Sequence, residues 1–225
     1  MRHRHIALTT LLLTALLAGC AGIREARMAV PPALSGVSEE SFGKVGWGRK
    51  GEFALGGQTV HYERGADRVS LFDSLSYGRA PLRFTLTTPA GDSHADCKAQ
   101  QVDVSLAGLS GAVKPWTLSC RWSGASNATL TIGEARGQGT RQQREGSYQR
   151  GDLTLGLRSV HKLEGSGLTL QEAVGYEILR EGQVIASIDL SRGVPHLRRP
   201  DPRTPLGQAA TEAALALALV WEPAR

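Results

Sequence analysis

The end of the chain constrains the fold most strongly, because residues 209–221 (AATEAALALALVW) combine high helix propensity with an apolar surface. Thr204 is suited to cap such a helix, Pro205 to begin it and Pro223 to stop it. From residue 213 to 221 the segment is apolar on every side, which is typical of a helix enclosed by protein or by membrane. It is shorter than the roughly 20 residues that span a bilayer, so we predict a slim helix buried inside the protein.

The rest of the chain is predicted to be mainly β, because short strand-like runs alternate with glycine-rich turns. Glycine accounts for 27 of 225 residues, above the usual share of about 7%, and this excess favours tight turns over long helices. Residues 53–55 and 58–62 flank Gly56-Gly57 as the strands of a hairpin would, and residues 175–180 and 184–190 are related similarly. We predict an antiparallel β-barrel of about ten to twelve short strands around or against the C-terminal helix. The alternative is a β-sandwich with that helix packed on it.

Residues 134–150 (EARGQGTRQQREGSYQR) lack a strand pattern and are rich in Gly, Gln and Arg, so we predict a long exposed hairpin loop. Guanidinium groups pair well with phosphate and carboxylate, which lipid head groups, lipopolysaccharide and peptidoglycan all offer. The candidate anion-binding residues are Arg136, Arg141, Arg144 and Arg150. The alternative is a solvated loop whose charges bind nothing.

Residues 1–19 are typical of a signal peptide, with a basic start followed by an apolar run from Ile6 to Leu17. The sequence Leu17-Ala18-Gly19-Cys20 resembles the lipobox of bacterial lipoproteins. This resemblance implies that Cys20 is diacylated and becomes the first mature residue, which would anchor the protein to a membrane without spanning it. The alternative is a soluble secreted protein in which Cys20 has no such role.

Lipoproteins of this kind are sorted in Gram-negative bacteria largely by the residue after the cysteine, and aspartate there retains them at the inner membrane. Here that residue is Ala21, so the resemblance implies the outer membrane, facing the periplasm, if the source is Gram-negative. We divide the chain into a signal peptide (1–19), a lipidated cysteine with a tether (20–40) and a single β-rich domain ending in the core helix (41–225). Pro31-Pro32 and the absence of a strand pattern favour the tether.

Two further cysteines, Cys97 and Cys120, are expected to form one structural disulfide in an exported protein. A redox or metal-binding role is less consistent with the sequence, because the pair lacks CxxC spacing. Leu118, Cys120 and Trp122 alternate along one predicted strand, so we expect the disulfide to lie in the core beside a tryptophan.

An apolar helix at the chain's end, preceded by many short strands, resembles the tubby-like architecture, in which a closed barrel encloses a central helix. The nearest local match is the hairpin over residues 176–190 with the helix that follows, similar to the end of tubby, phospholipid-scramblase and LURP-one-related proteins. The resemblance implies a lipid-handling role, since some of those proteins bind phosphoinositide head groups. No residue of their binding sites can be matched to this sequence.

The sequence offers no catalytic or cofactor motif. GxSxG, HExxH and Walker A patterns are absent, and Gly46–Gly51 fits GxGxxG only in letters, because a strand-like segment follows where a helix is needed. The mature histidines are scattered, so we expect no metal site, no cofactor and no enzyme activity. A formal net charge of +5 does not indicate nucleic acid as a partner.

These features predict a lipid-anchored cell-envelope lipoprotein that acts as a non-catalytic binding or structural module. Its expected contacts are the membrane, through the anchor, and a lipid head group, lipopolysaccharide or peptidoglycan. Two alternatives stay open: a lipid-handling protein of tubby or scramblase type, and an enzyme acting on lipid or cell-wall substrates.

Overall fold

The structure of the protein, a computed structural model, describes residues 25–43, 45, 48–71, 75–106, 109–135 and 142–222. These residues contain thirteen strands and one α-helix, α1 (Pro205–Leu219). The strands are β1 (Glu39–Ser41), β2 (Lys50–Leu55), β3 (Gln58–Arg64), β4 (Asp67–Leu71), β5 (Leu75–Thr88), β6 (Gly91–Leu106), β7 (Leu109–Gly124), β8 (Ala128–Glu134), β9 (Arg144–Arg150), β10 (Leu153–Val160), β11 (Gly175–Arg180), β12 (Gln183–Asp189) and β13 (His196–Arg198).

The strands form one antiparallel sheet that curls into a nearly closed barrel. Its order is β1-β13-β12-β11-β10-β9-β8-β7-β6-β5-β3-β2, and β4 pairs with β5 off this path. From β5 to β13 each strand therefore neighbours the strand before it in sequence, as short turns favour. The barrel confirms the predicted fold class and excludes the sandwich.

Alternate strand residues face the interior, as the alternation in the sequence predicts. On β5, Leu82, Phe84 and Leu86 are buried, whereas Arg83 and Thr87 are exposed. The barrel is therefore apolar inside and polar outside over its main body.

The helix α1 lies inside this barrel. It contacts β5, β9, β11 and β12, which are distributed around the sheet. Its side chains Leu215, Leu217 and Leu219 are at most 3% exposed, which confirms a central helix enclosed on all sides. Thr204 caps α1 by accepting a hydrogen bond from the Gly207 N–H at 3.1 Å.

The barrel has two ends, which we call rims. The lower rim holds the turns after β2, β5, β7, β9 and β11, and the upper rim holds the connections after β8, β10 and β12. Arg150, at the lower end of β9, lies 3.5 Å from Gln208 near the start of α1. The helix thus begins at the lower rim and ends at the upper rim.

Side chains fill the gap between β1 and β2, the two edge strands of the sheet. Phe42, just after β1, stacks on Phe53 of β2 with ring centroids 5.5 Å apart. Arg199 pairs with Glu40 at 2.5 Å beside the β2–β3 turn. At Gly56 in that turn, φ is +59°, a left-handed backbone conformation that favours glycine.

The structure corrects the predicted loop over residues 134–150. Residues up to Glu134 belong to β8 and residues from Arg144 belong to β9, so the last seven residues of that range form a strand paired with β8. The sequence does not predict β9, because Tyr148 is its one buried apolar side chain and a single residue gives no alternating pattern. Gly146 is also required there, since a Cβ atom would collide with the Thr131 carbonyl oxygen on β8.

Three strands are much longer than predicted: β5 has 14 residues, and β6 and β7 have 16 each. They continue past the upper rim and, with β4, form what we call the extension (residues 67–71, 75–79, 100–106 and 109–114). Pro81 marks its base, because β5 pairs with β3 on one side of Pro81 and with β4 on the other. The Pro81 carbonyl accepts from Gly65, so the missing N–H of Pro81 faces the gap between β4 and β3.

The N-terminal segment packs against the barrel over much of the range predicted as a tether. Met28 is buried and donates its backbone N–H to Asp189 at 3.2 Å, and Leu34 is buried near β12. Arg192 joins this segment to the barrel by pairing with Glu39 at 2.6 Å. The described chain is therefore attached to the barrel from Met28 onward, and Cys20, the predicted anchor residue, lies outside the described residues.

Candidate functional site

The disulfide joins the middle strands of the barrel wall. Cys97 of β6 and Cys120 of β7 are directly opposed in register and bonded, with Cα atoms 4.0 Å apart. Both are buried, and Trp122 lies on the same inner face. The predicted pairing and position in the core are therefore confirmed, and the bond closes a 23-residue separation.

A carboxyl group lies inside the barrel, toward its lower rim. Glu212, on α1, is 2% exposed, and three hydroxyl groups donate hydrogen bonds to it. Ser93 donates at 3.1 Å, Ser126 at 2.9 Å and Tyr148 at 2.5 Å. These donors come from three separate parts of the barrel wall, so the cluster ties the helix to β6, to the β7–β8 turn and to β9.

This cluster of Glu212 and three hydroxyls is closed to solvent, because Ser93, Ser126 and Tyr148 are each at most 3% exposed. Burial raises the pKa of the Tyr148 phenol above its ordinary value of 10.0, and the Glu212 charge acts in the same direction. Tyr148 is therefore a neutral hydrogen-bond donor. The arrangement fixes the rotation and depth of α1 and offers no route for a substrate to reach the carboxyl.

A second polar cluster closes the upper end of α1. Arg144 pairs with Glu222 through two hydrogen bonds of 2.6 and 3.1 Å and donates to the Tyr176 hydroxyl at 2.9 Å. Its guanidinium also lies over the Trp116 ring, 3.8 Å from the centroid. Arg144 thus combines a charge pair, a hydrogen bond and a ring contact in one buried position.

Arg64 occupies the other side of the same helix end. Its Nη1 donates to the carbonyl of Leu219 at 3.3 Å, and its Nε donates to the carbonyl of Gly48 at 3.2 Å. The guanidinium lies between the rings of Tyr62 and Trp221, 4.9 and 4.8 Å from their centroids. A cation at the carbonyl end of a helix is stabilised by the helix dipole, so Arg64 satisfies a carbonyl that has no partner within the helix.

Burial and neighbouring charges oppose each other in these clusters. Burial acts to lower the pKa of Arg144, but the charges and hydrogen bonds of Tyr176 and Glu222 outweigh it and raise the pKa. Burial lowers the pKa of Arg64, with Tyr62 acting in the opposite direction. Burial also raises the pKa of Tyr176, against the effect of Arg144. The favoured state at the upper end of α1 is a charged arginine beside a neutral tyrosine.

The predicted arginine site is not assembled in the described part of the chain. Arg144 is buried with its charge matched by Glu222, which differs from the exposed anion-binding role predicted for it. Arg150 lies at the opposite end of β9, at the lower rim. Arg136 and Arg141 lie outside the described residues.

The outer wall of the barrel carries an ordered polar ladder that the sequence did not reveal. The register places Glu52, His61, Thr85 and His94 side by side on β2, β3, β5 and β6. His61 lies 3.2 Å from Glu52, and His94 is hydrogen-bonded to Thr85 at 3.0 Å. His61 and His94, which look scattered in the sequence, thus pair with neighbours across strands on an exposed face.

The described residues contain no group of three His, Cys, Asp or Glu side chains placed to hold a metal ion. Within the same ranges, no helix has the length and apolarity needed to cross a bilayer. Lys50, in the GxGxxG-like segment, begins β2, so a strand follows those glycines as the sequence suggested.

Sequence reasoning missed the Glu212 cluster for two reasons. Glu212 is a lone acidic residue in an otherwise apolar helix, and such a residue is a signal of a buried polar contact. Tyr148 falls in the predicted loop, and Ser93 and Ser126 carry no distinguishing pattern. Their convergence depends on barrel closure, which brings together residues 119 positions apart.

No family model matches the chain, and no significant match is found among curated proteins or solved structures.

Proposed function

We propose that the protein is a lipid-anchored envelope lipoprotein that serves as a non-catalytic binding or structural module at the periplasmic side of the outer membrane. The anchor rests on the lipobox resemblance at Cys20 and the outer membrane on Ala21. A non-catalytic role is supported by the interior, where the Glu212 carboxyl is enclosed by its own hydroxyl partners.

The N-terminal segment supports a module held close to the membrane. The chain is fixed to the barrel from Met28 onward, so few residues separate a lipid at Cys20 from the upper rim. A short attachment suits a protein that acts at the membrane surface better than one that reaches across the periplasm.

Membrane fractionation of cells expressing the full chain tests the anchor and the sorting. We expect the wild-type protein to incorporate labelled palmitate and to fractionate with the outer membrane. Cys20→Ala should abolish the incorporation, and Ala21→Asp should move the protein to the inner membrane, whereas the control Ala21→Ser should not. Equal palmitate incorporation in wild type and Cys20→Ala would contradict the proposal.

A second candidate, a lipid-handling protein of tubby-like or scramblase-like type, is favoured by the helix enclosed in a barrel. Because α1 fills the axis, such a protein would handle lipid on its outside. Native mass spectrometry of the purified full chain separates the candidates. Lipid bound in addition to the acyl chains on Cys20 would favour the second, and a mass that the acylated protein explains completely would favour the first.

A further inference from the structure

The large apolar side chains that remain exposed are gathered at one end of the molecule. Within the described residues, five such side chains are exposed, and all of them lie at or beyond the upper rim. They are Val69, Leu75 and Val113 in the extension, and Leu168 and Leu170 in the loop between β10 and β11. Val113 is 69% exposed and Leu168 74%, which is far from the burial expected of a structural role.

The extension reverses the polarity of the barrel. The face continuous with the polar outer wall becomes apolar, with side chains that the strand register aligns across β4, β5 and β6. These are Val69, Leu75, Tyr77, Val102 and Val104. The opposite face, continuous with the apolar interior, becomes polar and internally hydrogen-bonded: Arg68 donates to Ser76 at 2.7 Å and Gln101 to Asp103 at 2.8 Å.

Cations surround the base of this apolar face. Arg79 lies over the Tyr77 ring, 4.6 Å from its centroid, and the Lys114 ammonium lies 3.4 Å from Gln100. A hydrogen bond from Arg79 lowers the pKa of Tyr77, and the positive charges of Arg79, Lys98 and Lys114 act in the same direction. The three cations are therefore close enough to Tyr77 to affect its hydroxyl electrostatically. Asp67 is the acidic residue opposite Arg79 in the register, so the collar of Arg79, Lys98 and Lys114 keeps a positive balance.

The chain outside the described residues starts at this same rim. The first described residues lie beside residues 162–164, in the upper-rim connection after β10, and beside Asp189, at the upper end of β12. Cys20 precedes Glu25 by only a few residues, so a fully extended chain places it within about 17 Å of the rim. The extension reaches beyond the rim by up to about 20 Å over residues 100–106. An anchor at Cys20 and the extension can therefore meet the same surface.

We propose that the upper rim is a membrane-contacting surface, in which the apolar face of the extension and the Leu168–Leu170 loop enter the leaflet while Arg79, Lys98 and Lys114 contact anionic head groups. An apolar tip above a basic and aromatic collar matches the layering of a bilayer interface. The inference rests on the proposed anchor for the distance argument. It adds a contact made by the protein's own side chains, and with it a fixed orientation on the membrane.

The test uses single thiols carrying an environment-sensitive fluorophore in the full-length, lipidated protein. With Cys20 acylated and Cys97 bonded to Cys120, Val113→Cys adds the one reactive thiol, and Gln183→Cys provides a matched exposed control at the lower rim. The proteins are reconstituted in vesicles of phosphatidylethanolamine and phosphatidylglycerol, with and without brominated acyl chains. We expect the label at residue 113 to shift to the blue and to be quenched by bromine, and the label at residue 183 to do neither.

Vesicle flotation in the same samples reports the anchor separately from the extension. Flotation with an unquenched label at residue 113 overturns the membrane contact and leaves the anchor intact. A blue shift at residue 113 that grows with the number of protein molecules per vesicle, without quenching by bromine, also overturns the membrane contact. It would show that the extension contacts another copy of the protein. Labelling of the protein without an introduced thiol would show that Cys20 is free, which contradicts the proposed anchor instead.

Charge reversal tests the basic collar. Lys98→Glu with Lys114→Glu should reduce the quenching at residue 113 in vesicles that contain phosphatidylglycerol. Arg180→Glu, an exposed change at the lower rim, should leave it unchanged. Equal quenching in the double variant and the wild type would overturn the assignment of those lysines to anionic head groups.

Discussion

Single residues hold the helix in place inside the barrel, and Glu212 is the clearest case. A carboxyl group inside an apolar barrel is stable only where hydrogen bonds replace its lost water, and here three hydroxyls do so. The residue therefore acts as a positional lock, since a helix turned or shifted along its axis would leave Glu212 without partners.

Tyr148→Phe tests this lock. We expect it to lower the free energy of unfolding by about 1 to 3 kcal/mol, because a buried carboxyl loses a donor that no water replaces. Tyr77→Phe, on the exposed extension, is the matched control and should change stability by less than about 0.5 kcal/mol. Urea unfolding followed by circular dichroism gives both values, and equal stabilities for the two variants would contradict the lock.

The two buried tyrosines predict a loss of stability in alkali. The folded-state pKa values of Tyr148 and Tyr176 are both raised above 10.0, so the stabilisation is complete below pH 10 and is lost as the pH rises further. Each such group contributes a slope of about 1.4 kcal/mol per pH unit in that window. The part of the phenolate absorbance that Tyr148→Phe and Tyr176→Phe remove should appear together with unfolding. Ionisation of these two tyrosines before unfolding would exclude this linkage.

At the scale of elements, the disulfide strengthens the wall where the barrel body meets the extension. It joins β6 and β7, the two longest strands, and limits the unfolded chain over the residues between them. Reduction, or Cys97→Ser with Cys120→Ser, should lower the free energy of unfolding by about 2 to 4 kcal/mol. Thiol titration of the denatured, unreduced domain is the check, and two free thiols from this pair would refute the bond.

The helix is the element on which the core depends. Leu217→Asp should prevent folding, because it places an unpaired charge in the apolar interior of the barrel. Thr129→Asp, at an exposed position on β8, is the control and should fold normally. Near-ultraviolet circular dichroism distinguishes the two, and a native spectrum for Leu217→Asp would show that α1 is peripheral.

At the scale of the whole molecule, we expect the barrel and its enclosed helix to unfold as one cooperative unit. Truncation after Gly207 removes most of α1 and exposes the interior of the sheet, so we expect no cooperative thermal transition from the remainder. Differential scanning calorimetry of both chains makes the comparison. A melt near the full-length temperature would mean that the sheet is stable without its core.

The sequence predicts those parts of the molecule whose structure is determined by residues close together in the chain, together with the cysteine pair. Periodicity and capping predicted α1, alternation and Gly56-Gly57 predicted the β2–β3 hairpin, and an even cysteine pair predicted the disulfide. It failed at β9, where one apolar residue faces inward and pairing with β8 and β10 decides the conformation. It also failed at the Glu212 cluster and the reversed faces of the extension, because both depend on which strands become neighbours.

Because α1 follows the thirteen strands of the described residues in the sequence and yet lies at the centre of the barrel, its position affects how fast the protein can fold. Ribosomes deliver the amino terminus first, so every strand emerges before the segment that fills the sheet. Until residue 219 is available, the inward faces of β2 to β13 have nothing to pack on, and a sheet rich in long-range contacts folds slowly even when complete. The nascent chain therefore stays unfolded, with the apolar residues of its strands exposed to solvent. Folding of the barrel should begin only after residue 219 has been synthesised, and holding chaperones should bind this protein for longer than one whose core residues are synthesised early.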